Sequence, residues 1–95
     1  MVVGIGNITF RLHECRSLKS KRKIVKSIVG QVRNKFNVSI AEVGSNDVYQ
    51  RSEIGFALVG NNRQVLNSKM DKLLNMVDSL GLAEIIDTDL EIINL

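Results

Sequence analysis

The chain holds one histidine and one cysteine, His13 and Cys15, with Glu14 between them. A Cys–His pair can make an activated thiolate, and Arg11, Arg16 and Lys19 would favour the ionised sulfur. No remote residue is identifiable as the group that orients such a base. Residues two apart at a strand end need not face each other, so packing and solvation are the ordinary reading of this trio. A tetrahedral metal site needs three or four ligands at workable spacing, which the sequence does not offer. Gly4-Ile5-Gly6 has the first two glycines of a dinucleotide fingerprint, but it lacks the third and lies within a strand pattern. Asp87, Asp89 and Glu91 alternate along a strand and read as a solvated edge that discourages aggregation. The expectation is a protein that is not an enzyme, with no catalytic residue, cofactor or metal.

Charge is the stronger signal. Arg16 to Lys26 carries six of the thirteen Lys and Arg residues and no acid. This run opens a helix, the end where the macrodipole is positive and where an exposed like charge costs about 0.3–1 kcal/mol. At about 100° per residue, Lys19, Arg22, Lys23, Lys26 and Arg33 share one side of that helix. Lys21 falls elsewhere, towards the edge of the core. Gly30 lies in the middle of the basic side, where it costs up to about 1 kcal/mol of helix propensity. The whole chain is dipolar: residues 1–35 hold nine basic side chains and one acid, and residues 36–95 hold four and nine. Such a face suits a phosphate backbone read by shape and charge. A solvated helix face is the alternative of about equal weight.

The elements that must position these residues follow from periodicity. Residues 2–13 alternate as a strand, with Ile8, Phe10 and Leu12 inward. Ser17 or Ser20 caps a helix whose stripe is Ile24, Val25, Ile28, Val29, Val32 and Phe36. Asn37 is expected to end it in a left-handed conformation. Residues 38–43 form a second strand, 44–50 a polar loop and 52–59 a third strand. Asn61 with Gln64 resembles a capping box for a second helix, which Gly81 stops. Residues 83–94 form the last strand, with Ile86, Thr88, Leu90 and Ile92 alternating against Asp87, Asp89, Glu91 and Ile93. Ninety-five residues make one domain, 1–95.

Strand, helix, strand, strand, helix, strand is the order of a ferredoxin-like α+β domain. The expected product is a four-stranded antiparallel sheet with both helices on one face. The third strand is apolar on both sides, Ile54, Phe56 and Leu58 against Gly55, Ala57 and Val59. One side must therefore face away from the helices, and an exposed apolar patch points to a partner. A homodimer is expected, with Ile54, Phe56 and Leu58 as the candidate interface. Base stacking on the sheet, as in RNA-recognition domains, is disfavoured because the strands hold too few aromatics. One cysteine, no visible signal peptide and no long apolar run fit a cytoplasmic protein without a membrane span.

Three stretches carry a family resemblance: Ser17-Leu18-Lys19-Ser20-Lys21-Arg22, then residues 36–43, Phe-Asn-Val-Ser-Ile-Ala-Glu-Val, and Asp47-Val48-Tyr49-Gln50-Arg51 followed by Ile54-Gly55. In these the chain resembles the YlxP-like family of small bacterial proteins of unknown function, along its whole length. The family usually has Trp where this chain has Tyr49. The resemblance implies a ferredoxin-like fold and a cytoplasmic bacterial protein. Family genes often lie beside those for translation initiation and ribosome maturation, which implies a ribosome-associated role. It supplies no activity and no catalytic residue. It draws attention to Tyr49, Gln50 and Arg51; a turn in which Tyr49 packs and Arg51 pairs with Glu42 or Glu53 is the readier expectation, and a contact loop is the alternative. The leading expectation is a binding protein associated with RNA or the ribosome. A small-molecule-sensing dimer and a protein adaptor using the open sheet face are the alternatives.

Overall fold

The computed structural model describes residues 1–95. Its elements are β1 (Val2–Arg11), α1 (Leu18–Lys35), β2 (Ser39–Gly44), β3 (Arg51–Gly60), α2 (Arg63–Ser79) and β4 (Glu84–Asn94). All neighbouring strands pair antiparallel in the order β2-β3-β1-β4. This is the ferredoxin-like α+β arrangement that the periodicities predict. The doubly apolar β3 and the glycine-bearing β1 are central.

The core lies between one face of the sheet and the two helices. Ile8, Phe10, Ile54, Phe56 and Leu58 from the sheet meet Val25, Ile28 and Val32 of α1 and Leu66, Met70, Leu73 and Val77 of α2. Two glycines of β1 let large neighbours lie flat on the sheet. A Cβ at Gly4 would stand 2.7 Å from Met70 Sδ, and one at Gly6 would collide with the Phe56 ring. Their role is close approach, with no bulge at either position.

Several expectations need correction. Ile54, Phe56 and Leu58 are the residues of β3 that the helices cover, all under 7% exposed. They are core and cannot be a dimer interface. The open face of β3 instead carries Glu53, Gly55, Ala57 and Val59, a smaller and less greasy set. α1 ends at Phe36, which is extended, and Asn37 is not left-handed. Asn62, not Asn61, caps α2 by accepting from the Val65 N–H at 3.1 Å. In β4 a register shift opposite Thr9 and Phe10 skips Ile86, so Ile85 takes the inward position. Arg33 does not stand free on the basic side of α1: its Nη2 donates to the Ile40 carbonyl of edge strand β2 at 2.9 Å. Arg63 does the same for the other edge, donating to the Ile92 carbonyl at 3.2 Å. Each helix thus ties down one edge strand.

Candidate functional site

β1, β2, β3 and β4 all place an end at the same pole as the start of α1. Loop 45–50 and the connection from Leu12 to Ser17 meet there, and the Leu12 N–H donates to the Gln50 carbonyl at 3.0 Å. Ser17 caps α1, its Oγ accepting from the Ser20 N–H at 3.1 Å. The first turn of α1 contains no acid. The Ser17 side chain satisfies one of the orphaned donors of the first turn; the cations that follow have no acceptor to offer the others.

Those cations divide sharply. Lys19, Arg22, Lys23 and Lys26 are exposed, and none has an ion-pair partner; Lys21 pairs with Glu42, and the His13 ring contacts Glu84. Lys21 is fully buried. Its ammonium lies 2.9 Å from Glu42 Oε2 and donates to the Ser45 carbonyl. Glu42 Oε2 also accepts from Ser52 Oγ at 2.6 Å, and Glu42 Oε1 from Asn46 Nδ2 at 3.4 Å. Ser45 Oγ donates to Glu53 Oε2 at 3.0 Å. Ser45 has a positive φ of 57°, uncommon for a residue with a Cβ. Its carbonyl held by Lys21 and its hydroxyl held by Glu53 keep it there.

This network joins the three stretches singled out in the sequence. Lys21 comes from the first, Glu42 from the second, and Asn46, Ser52 and Glu53 flank the third. It anchors the base of loop 45–50 against the first turn of α1. Beyond the anchor the loop is exposed, and Tyr49 is 42% accessible. Arg51 makes no ion pair, since Glu42 is taken by Lys21 and Glu53 by Ser45. Arg51 begins β3 on the open face, directly opposite Arg11 of β1. The helical angle sets Lys21 off the basic side, but its partner is not legible in the sequence, because the packing that brings Glu42 beneath it is a tertiary fact.

His13 and Cys15 are not brought together. His13 Nε2 contacts Glu84 Oε1 at 3.2 Å on the surface. Cys15 is buried, with its thiol donating to the Ser17 carbonyl at 3.5 Å. No cluster of three His, Cys, Asp or Glu side chains forms. No helix is long and apolar enough to cross a membrane.

Comparison with known proteins gives a concordant picture. Residues 3–90 match the family model described as "Protein of unknown function (DUF503)". The chain is 36% identical over 78 residues to "Uncharacterized protein YlxP" of Bacillus subtilis (strain 168), covering 82% of this chain and 85% of that protein. The matched segment contains α1, the Lys21–Glu42 network and loop 45–50. The chain belongs to the DUF503 family of YlxP-like proteins, a family of unknown function.

Proposed function

We propose that this protein is a non-enzymatic cytoplasmic binding protein that associates with RNA on ribosomal particles through the outer side of α1. The observation that carries the reading is the set Lys19, Arg22, Lys23 and Lys26: four exposed cations with no acid partner, gathered near the positive end of a helix that Ser17 already caps. The fold gains nothing from that placement. A phosphate backbone would neutralise the cluster and benefit from the helix field. The exposed Tyr49 and Gln50, held beside the first turn through Ser45, add a less charged contact that can distinguish one RNA surface from another. The acids of β4 stand on the sheet and not on this side of α1, so they do not oppose a polyanion here.

Sucrose-gradient fractionation of cells carrying the tagged protein, with crosslinking and sequencing of bound RNA, tests the reading. The expected result is cosedimentation with a ribosomal particle that RNase or high salt abolishes, and enrichment of a defined RNA segment. A protein that stays at the top of the gradient without crosslinked RNA, or whose partner survives RNase, contradicts it.

A further inference from the structure

Where α1 ends, a cavity of about 140 Å³ opens between the two helices and the sheet. Its floor reaches the core at Leu58 of β3 and Leu73 of α2, with Phe36 and Val38 beside them. Phe36 and Val38 belong to the tight turn out of α1, which the Val38 N–H closes by donating to the Phe36 carbonyl at 3.1 Å. Lys35 at the end of α1 and Lys69 of α2 also line the cavity, and no acid does. Both lysines are exposed, and neither has an ion-pair partner. A more open hollow continues from Lys35 and Phe36 to Lys72.

Helix stability explains only part of this charge. Lys35 lies in the last turn of α1, where a cation suits the macrodipole. Lys69 and Lys72 lie in the body of α2, three residues apart, a spacing at which like charges repel. No acid stands three or four residues from either one. The acids of α2, Asp71 and Asp78, fall roughly 180–200° round the helix from Lys69. The side of α2 that meets the end of α1 is therefore basic, and its acids are kept off it.

We propose that this cavity binds a small organic anion, a carboxylate carried on one ring-sized apolar group. Size, floor and charge each fix part of that description. An apolar cavity of about 150 Å³ accommodates benzene, so this one holds a single ring and is too small for a strand or helix of another protein. Leu58, Leu73, Phe36 and Val38 offer a polar body no side-chain hydrogen bond. The Lys35 and Lys69 ammonium groups offer a carboxylate charge-assisted ones, which a neutral or cationic ligand would leave unused. Lys35 lies roughly 180° round α1 from Lys26. The site is thus separate from the outer cations, and its occupancy does not depend on RNA binding.

Nitrogen-15 NMR of the whole chain at constant ionic strength tests this with three probes: benzoate, benzyl alcohol and acetate. Benzoate is expected to shift the Val38, Leu58 and Leu73 amide signals saturably, with a Kd of about 1–10 mM for a ligand of its size. Benzyl alcohol keeps the ring without the charge, and acetate keeps the charge without the ring. Each is expected to bind at least about 10-fold more weakly. Lys35→Gln/Lys69→Gln should weaken benzoate by about 10-fold or more and leave benzyl alcohol unchanged. Arg11→Gln/Arg16→Gln removes the same charge at the other pole and should leave benzoate within about two-fold of the wild type. All four positions are exposed, so both variants should keep the wild-type circular dichroism spectrum. Benzoate that fails to saturate by about 50 mM, shifts other residues instead, or is matched by either partial probe overturns the proposal. So does equal benzoate affinity in the lysine variant, or an equal loss in the arginine variant.

Discussion

Lys21 and its neighbours Lys19, Arg22, Lys23 and Lys26 lie within eight residues of one helix, yet they do opposite things. Lys21 is taken out of water entirely and surrounded by Glu42 and the Ser45 carbonyl. The other four remain in solvent with nothing opposite them. The same side-chain chemistry is structural on one side of α1 and unemployed on the other. What separates them is angle: Lys21 shares its side with Val25, Ile28 and Val32, the buried positions. A buried charge is retained only when paired and hydrogen-bonded, so Lys21 reports on the fold. An unpaired cluster beside a capped helix end reports on something outside it.

The inner side should break hardest. Lys21→Ala leaves Glu42 as an uncompensated carboxylate against the core and is expected to cost about 3–5 kcal/mol. Urea unfolding should show a lower midpoint, and proteolysis should nick loop 45–50 first, because Ser45 loses the group that holds its carbonyl. Lys21→Met with Glu42→Leu should recover much of that stability, since a buried ion pair is commonly replaceable by apolar side chains. Equal destabilisation in the single and double variants would show that the pair is not the support described.

Gly30 sharpens the contrast from the outer side. It sits among the cations, and a Cβ there would meet no atom within 4 Å. Gly30→Ala should therefore raise stability by up to about 1 kcal/mol in thermal or urea unfolding. A drop in stability would mean that the fold itself requires this glycine. Neutralising the four outer cations should have the smallest effect of all on folding, about a few tenths of a kcal/mol and in the stabilising direction, because Lys19 no longer opposes the helix field in the first turn and the like charges three and four residues apart no longer repel one another.

Much of this architecture is legible in the sequence. The element order, the central place of β3 and the departure of Lys21 from the basic side follow from periods of about 2 and 3.6 residues. What is not legible depends on parity and register. Both sides of β3 are apolar, so its sequence cannot say whether Ile54, Phe56 and Leu58 or Gly55, Ala57 and Val59 meets the helices. The larger set fills the core, and the interface expectation placed on it was wrong. Ile86 leaves its alternating pattern because of a register shift set by pairing with β1. Arg33 matches the basic side by angle, but its long side chain reaches Ile40. Tyr49 and Arg51 were expected more readily to pack and pair; Glu42 is paired with Lys21 and Glu53 holds Ser45, Arg51 makes no ion pair, and Tyr49 is substantially exposed. The Lys21–Glu42 pair spans 21 positions, and no local rule brings its two ends together.

The central claim is that the outer cations of α1 are held for a polyanion and not for the fold. The most direct test is the salt dependence of binding to ribosomal RNA, measured for the wild type and for a variant with Lys19, Arg22, Lys23 and Lys26 all changed to Gln. The predicted result is weaker binding by the variant and a log–log salt slope reduced by about 0.7–0.9 for each phosphate that it no longer neutralises, with unfolding unchanged or slightly improved. Equal affinity and equal slope for the two proteins would contradict the claim.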